Sequence, residues 1–287
     1  MLQKKLNPVT KDGKTINAIL FYPADKPKGI LIVCHGFGEH IKRYEEFAQY
    51  LTDSRYACIV YDQRGHGEMG GIAPSKRKKQ FGIIPDYKSF LDDIDIIKNK
   101  ALSLYPDIPL ILYGHSMGGN IAINYLLTRK QNRFTCAVLE TPWLRLFDPV
   151  PAPLVALAKI LGKLNHKWAI IKKLKLNHIS RDKKRNGEIG SDELYHNRIS
   201  FRMFSGINDA GENALKKAAD ISIPVLLICA KDDKIVSPKA IEEFSEKSKD
   251  NVKLKSYNKA YHSVHNDIIK DVYYKDLIEY LDSFIQA

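Results

Sequence analysis

Five short apolar runs punctuate the chain: Ile30–Cys34, Ala57–Tyr61, Pro109–Tyr113, Cys136–Leu139 and Pro224–Cys229, each bounded by Gly, Pro or charged residues. Their hydrophobicity is continuous rather than alternating, so the strands they form must be covered on both faces, as inside a parallel sheet. Helical patterns separate them, over Arg43–Leu51, Tyr87–Leu104, Met117–Lys130, Pro238–Lys247 and Asp271–Phe284. In the second of these, Phe90, Ile94 and Ile97 recur at steps of three and four and make one apolar stripe. The alternation predicts an α/β fold with a mostly parallel, doubly wound central sheet flanked by helices. Thr15–Tyr22 and Val252–Tyr257 read as half-buried strands, and the first, ahead of any helix, suits an antiparallel edge hairpin.

The rhythm stops from Trp143 to about Asp220. A Pro-rich opening (Pro142, Pro149, Pro151, Pro153) leads into an amphipathic run, Leu154–Leu164, and then a Lys-rich one, Lys167–Leu176. The 287-residue chain therefore reads as one catalytic domain, 1–142 with 221–287, interrupted by a helical cap or lid, 143–220. The insert also owns most of the charge. The chain carries 45 Lys plus Arg against 33 Asp plus Glu, a net +12, and residues 143–220 hold 15 of the former and 8 of the latter. Such a surplus attracts nucleic acid, anionic lipid or acidic substrates. Nucleic acid is not expected here, because no stacking aromatics interleave the basic residues and no recognition motif is present.

With 44% hydrophobic and 27% charged residues the chain is not a disordered or fibrous one. No stretch approaches the 18 or so apolar residues of a membrane span, and the opening Met1–Pro8 lacks the apolar centre of a secretion signal, so a cytoplasmic protein is expected. The four cysteines sit singly inside apolar runs, the pattern of reduced core residues.

The chemistry centres on Gly114-His115-Ser116-Met117-Gly118, directly after an apolar run and directly before a helical pattern. In that setting G-x-S-x-G is a sharp strand-to-helix turn that raises the serine at the end of a sheet. A serine hydroxyl needs a histidine to take its proton and a carboxylate to orient that histidine, and in this architecture they follow in the order acid, then histidine. Ala230-Lys231-Asp232-Asp233-Lys234-Ile235-Val236 and Ala260-Tyr261-His262-Ser263-Val264-His265 stand in loops after predicted strands. Asp233 is favoured over Asp232 by its place in Ala-x-x-Asp-x-x-Val, and His262 over His265 on the same positional ground. The backbone N–H of Met117 supplies one oxyanion donor and that of Phe37, in the Gly-bearing loop Cys34–His40, the second. His35 and His115 read as buried supports. The nine histidines form no metal-ligand cluster, and neither a metal nor another cofactor is called for.

Together these residues resemble the monoacylglycerol lipase and lysophospholipase branch of the α/β-hydrolase superfamily. The resemblance runs nearly the length of the chain, through His35-Gly36-Phe37-Gly38-Glu39-His40 with Arg43-Tyr44, Asp62-Gln63-Arg64-Gly65-His66-Gly67, the Gly114–Gly119 elbow, Ile179-Ser180-Arg181-Asp182 and Tyr261-His262-Ser263-Val264-His265. It implies a Ser116, Asp233, His262 triad, an oxyanion hole from Phe37 and Met117, an acyl channel under the lid, and a glycerol end bound by Glu39, Arg43 and His265. Ala230 departs from the family's usual Gly, and the doubled Asp232-Asp233 leaves the register of the acid open.

The expected activity is cofactor-independent hydrolysis of a fatty acyl ester, monoacylglycerol or lysophospholipid. A thioesterase or short-chain carboxylesterase on the same framework, and a ligand-binding module without turnover, are the other readings. The lid admits two accounts. Leu154, Leu157, Ile160, Leu161 and Leu164 pack on the catalytic domain, the simpler one; or they touch a lipid surface weakly and reversibly, drawn by Lys159, Lys163, Lys167, Lys172, Lys173 and Lys175.

Overall fold

The computed structural model describes residues 1–71, 74–172, 174–248 and 250–285. Its strands are β1 (Leu2–Leu6), β2 (Ala18–Tyr22), β3 (Gly29–Cys34), β4 (Tyr56–Tyr61), β5 (Leu110–His115), β6 (Phe134–Glu140), β7 (Ala169–Ile171), β8 (Arg198–Ser200), β9 (Val225–Ala230) and β10 (Val252–Tyr257). Helices α1 (Glu45–Asp53), α2 (Pro74–Arg77), α3 (Lys88–Leu104), α4 (Met117–Thr128), α5 (Ala152–Leu164), α6 (Lys183–Ser191), α7 (Phe201–Lys216), α8 (Pro238–Lys247) and α9 (Lys270–Ile285) connect them. Eight strands form one sheet in the order β1-β2-β4-β3-β5-β6-β9-β10. From β4 to β10 every pairing is parallel, and β2 joins β4 antiparallel with β1 folded back beside it. The edge hairpin expected from Thr15–Tyr22 is thus present, its partner being Leu2–Leu6.

Both faces of the sheet are covered, which is why the strands read as unbroken apolar runs. Along β3, Ile30, Ile32 and Cys34 enter a core shared with Ile94, Ile97 and Ile121 of α3 and α4, while Leu31 and Val33 enter the opposite core with Phe47 and Leu277 of α1 and α9. The four cysteines are buried and unpaired within these layers.

The loop after β4 is tied down by charge. Arg64 donates two hydrogen bonds to buried Asp93 on α3, at 2.7 and 2.8 Å, and two to Asp12, both at 2.9 Å. Burial pushes the Asp93 carboxyl up to about 6 even though Arg64 opposes the shift. Asp62, the first residue of the same motif, accepts from Asn17 and from the backbone N–H groups of Ile41 and Glu68.

Between β6 and β9 the chain leaves the sheet as α5, β7, α6, β8 and α7, with β7 and β8 paired antiparallel. The Lys-rich run is not helical: it holds β7 and a short 3-10 turn at Leu176–His178, and Lys173 lies outside the described residues. The amphipathic run is α5, but its large side chains do not pack inward. Leu154, Leu157, Ile160 and Leu164 stand exposed, and only Ala158 and Gly162 of α5 are buried. The cause is a close crossing of α5 on α7. A Cβ at Gly162 would meet Arg202 backbone atoms at 2.8 and 2.9 Å, and the Arg202 guanidinium donates to the Gly162 carbonyl at 2.8 Å. Small residues occupy the seam and Leu161 is half-buried, while Leu154, Leu157, Ile160 and Leu164 are turned to solvent, which overturns the packing account for those four.

Arg64→Ala strands a buried carboxylate and is expected to cost about 3–5 kcal/mol, read by urea unfolding at pH 8. Because Arg64 holds the Asp93 carboxyl down, its loss moves that group above about 6 and lets it take up a proton, so the deficit should shrink as the pH falls from 8 toward about 6 and level off below; a deficit independent of pH would contradict this account.

Candidate active site

Strand β5 ends at His115, α4 begins at Met117, and Ser116 between them is held at φ 52°, ψ −114°. This conformation costs on the order of 1–3 kcal/mol for a residue with a side chain. It persists because its surroundings leave no alternative. A Cβ at Gly118 would lie 2.0 Å from the Cys34 carbonyl oxygen, and one at Gly114 2.5 Å from that of Gly118, so the first turn of α4 is seated directly on the ends of β3 and β5. The Ser116 N–H donates to the Glu140 carbonyl (2.9 Å), and the Ser116 carbonyl accepts from the N–H groups of Asn120 (3.0 Å) and Trp143 (2.9 Å).

The loops after β9 and β10 meet at this serine. His262 Nε2 lies 2.8 Å from Ser116 Oγ, and His262 Nδ1 lies 2.7 Å from Asp233 Oδ2. The other Asp233 oxygen accepts from the N–H groups of Ile235 (2.7 Å) and Val236 (3.0 Å), which fixes the carboxylate in plane with its own turn. Asp232 is exposed, so of the two carboxylates only Asp233 reaches the histidine. Burial favours neutral His262, but the Asp233 carboxylate, with Glu39 and Glu140 adding to it, opposes burial and the net shift of its pKa is upward. The His262 carbonyl is held by Thr141 Oγ1 at 2.8 Å. The loop is braced from the insert as well: Ser263 N–H donates to the Ile179 carbonyl (2.8 Å), Ser180 Oγ to the Asn266 carbonyl (2.8 Å), and the Arg181 side chain grips Asp267.

Among the described residues, neither the Met117 nor the Phe37 backbone N–H donates to a protein acceptor. Contact of Gly118 with the Cys34 and His35 carbonyls brings the two segments together. His35 supports the Phe37 loop: its Nε2 accepts from the Gln63 N–H (3.0 Å), leaving Nδ1 to donate to the Gly36 carbonyl (2.8 Å).

Ser116 and His262 open onto a cleft enclosing about 680 Å³, part of it open to solvent. Its walls are mainly apolar, including Trp143, Leu146, Ile179, Ile199, Phe204 and Ile235. Five further polar residues line it: Glu39, Arg43, His115, Lys172 and Tyr195. Glu39 accepts from the Gly36 N–H (2.7 Å) and the Tyr44 hydroxyl (2.8 Å) and sits 3.3 Å from His115 Nδ1. Burial raises its carboxyl, yet His115 and Arg43 beside it hold it well below the usual carboxylate range.

His265 is elsewhere. It is fully buried and does not line the cleft, so the direct glycerol contact implied by the resemblance is not what this structure holds. Its Nδ1 lies 2.9 Å from Glu140 Oε1, and its ring stacks on Tyr44 at 5.1 Å. Glu140, which the sequence does not single out, also accepts from Tyr113, and although burial pushes its carboxyl up, His265 brings it down to about 2. Glu39, His115 and His265 offer ligand atoms within 4.8 Å of one another, but Tyr44 and Gly36 already occupy Glu39 and Glu140 occupies His265.

A family model, serine aminopeptidase S33, matches residues 25–269. The chain belongs to this family of α/β-hydrolases. It is 30% identical over 98% of its length to an uncharacterized abhydrolase domain-containing protein of Dictyostelium discoideum, of whose length it spans only 29%. It is 27% identical to a monoacylglycerol lipase of Mycolicibacterium smegmatis, over 92% of this chain and 91% of that one. Among solved structures it is similar to a monoacylglycerol lipase of Paleococcus ferrophilus, with a TM-score of 0.81 and 26% identity over 99% of this chain and 100% of the other.

The two neighbouring aspartates allow a controlled comparison. Asp233→Asn should slow labelling of Ser116 by a fluorophosphonate by on the order of 10⁴-fold, since the histidine loses the group that sets its tautomer; Asp232→Asn should label like the parent chain.

Proposed function

We propose that the protein is a serine hydrolase that cleaves carboxylic esters of fatty acyl chains, with monoacylglycerol or lysophospholipid as substrate. The observation that carries the reading is the unbroken hydrogen-bonded run Asp233–His262–Ser116 at the end of an apolar cleft. In this reading Ser116 Oγ attacks the ester carbonyl as His262 Nε2 takes its proton, and the oxyanion is received by the N–H groups of Phe37 and Met117. His262 then gives the proton to the departing alcohol. Water, deprotonated by His262, attacks the acyl-serine and releases the fatty acid and the free serine. Asp233 holds the imidazole in its working tautomer and stabilises the imidazolium that forms in each half-reaction.

The head group lies against Glu39 and Arg43, whose side chains meet at 3.6 Å on the cleft wall. His265 acts from behind, through Tyr44 and Glu140, to position them. Residues 143–220 form the lid over a catalytic domain of 1–142 and 221–287, and the lid contributes Trp143, Ile179 and Phe204 to the acyl channel. The relatives and structures named as monoacylglycerol lipases support this assignment. Four buried, unpaired cysteines suit a reducing compartment such as the cytoplasm. No helix among the described residues is long and apolar enough to cross a membrane.

Two measurements test the reading. Purified protein should hydrolyse monoacylglycerols or lysophospholipids of medium to long chain, with loss of activity in Ser116→Ala. Turnover confined to acetyl esters, to thioesters or to aminoacyl anilides would overturn it. For p-nitrophenyl esters, kcat/KM should rise with pH as His262 loses its proton, with a midpoint above the 6.5 of an unperturbed histidine. In Asp233→Asn the residual activity should titrate at lower pH, because burial then acts on the imidazole with its strongest opponent removed.

A further inference from the structure

Two buried residues at the end of β6 are bonded to all three segments that carry the triad, and neither belongs to it. The Glu140 carbonyl accepts from the Ser116 N–H at 2.9 Å, which ties it to the elbow. The Thr141 N–H donates to the Ile228 carbonyl at 3.0 Å, on the strand that runs into the Asp233 turn. The Thr141 hydroxyl donates to the His262 carbonyl at 2.8 Å. The Glu140 carboxylate grips the same loop three residues further on, accepting from the His265 backbone N–H at 3.1 Å and from His265 Nδ1 at 2.9 Å. Nucleophile, acid and base stand on three separate loops, and one dipeptide is joined to each.

Neither residue suits its position on local grounds. Thr141 is fully buried at φ 40°, in the left-handed region that β-branched residues rarely occupy. Glu140 is fully buried as well, and a carboxylate in the core is costly unless partners hold it. Tyr113 donates to it from β5, and Tyr273 of α9 donates in turn to the Tyr113 hydroxyl at 3.2 Å. Burial pushes the Glu140 carboxyl up, but His265, with His115 and Tyr113, brings it down to about 2. Strain and buried charge of this kind persist where the surroundings over-determine them, and they cluster where geometry matters to the chemistry.

We infer that Glu140 and Thr141 are positioning residues of the hydrolase: Thr141 fixes where the His262 ring stands against Ser116 Oγ, and Glu140 anchors the same loop and sets a fixed negative charge behind the imidazolium that forms in each half-reaction. The inference rests on the triad reading of Ser116, Asp233 and His262. Between the charge and the reacting ring lie two histidines, His265 on Glu140 and then His115, whose ring is 4.9 Å from that of His265 and 5.0 Å from that of His262. Asp233, Glu39 and His115 also face His262, from the loops after β9 and β3 and from the end of β5. The groups facing Glu140 are Tyr113 and His115 of β5, His265, Tyr44 ahead of α1, Tyr257 of β10, and Tyr273 and Tyr274 of α9. All of these stay in place when Glu140 alone is changed to its amide.

The test is steady-state kinetics on a soluble p-nitrophenyl ester, with fluorophosphonate labelling of the parent and of Ser116→Ala beside it. Thr141→Ala should lower kcat by about 10- to 100-fold with KM little changed. Thr141→Ser keeps the hydroxyl and should restore it, and neither variant should move the pH midpoint of kcat/KM. Glu140→Gln keeps the volume and an oxygen to accept from the His265 N–H, so its effect reports the charge. Its midpoint should move to lower pH, because one of the three carboxylates that favour the imidazolium is gone while burial still opposes it. A merely structural role would lower the thermal unfolding midpoint and leave both kinetic readings at their parental values. If Glu140→Gln does not fold, the Thr141 pair decides, since Ile179 and Ser180 brace the loop independently. Parental kcat in Thr141→Ala, a Thr141→Ser variant as slow as Thr141→Ala, or a parental pH midpoint in folded Glu140→Gln would each overturn the inference. A parent labelled no faster than Ser116→Ala would remove the triad reading itself.

Discussion

The seating of α4 on the ends of β3 and β5 is the contact on which the site depends. Gly118 touches the Cys34 carbonyl and Gly114 touches that of Gly118, so the chain has space for backbone and none for a side chain. That approach holds Ser116 at positive φ, and it places the first N–H groups of α4 beside the His35–Phe37 loop. The strain at one residue is small against the burial of the two layers that impose it, since a single fully buried leucine or isoleucine contributes about 1.5–3 kcal/mol. A rigid, doubly covered sheet is therefore what allows a strained, high-energy serine to be kept in one place.

Behind the serine lies a buried set of charges that a list of triad members would omit. Glu39 and Glu140 are both buried and each faces a histidine, His115 and His265 respectively. His115 lies between them and the reacting histidine, its ring 5.0 Å from that of His262 and 4.9 Å from that of His265. Both carboxylates add to the upward pull of Asp233 on His262. The insert enters the same region from the other side, through Ile179, Ser180 and Arg181, which hold the backbone and the aspartate of the His262 loop. The residues that wall the cleft and the residue poised to move protons thus share one brace.

How far the fold is legible in the sequence follows from burial. The strands at Gly29–Cys34, Tyr56–Tyr61 and Val225–Ala230 are buried throughout and stand out as apolar runs within a residue or two of their ends. Strand β1 is not legible, because Leu2–Lys5 are exposed and the strand exists only by pairing with β2. The Lys-rich stretch likewise takes its β7 conformation from pairing with β8. At the site, Ser116, Asp233 and His262 are marked by local patterns that encode their turns. Glu140 carries no such mark: it is one more residue at the end of a strand until β5, the His262 loop and α9 close around it.

The sequence by itself determined the layered α/β framework, the elbow at Ser116 and the order in which the acid and histidine follow, since each depends on short-range patterns of polarity and glycine. The tertiary structure decided what those patterns leave undetermined. Which aspartate reaches His262, that His265 turns to Glu140 rather than into the cleft, and that Leu154, Leu157 and Leu164 of α5 face solvent all depend on contacts between segments far apart in the chain. For α5 the physical reason is explicit: its amphipathic pattern fixes that it has an apolar stripe, but only the close crossing on α7 at Ala158 and Gly162 fixes which way that stripe points.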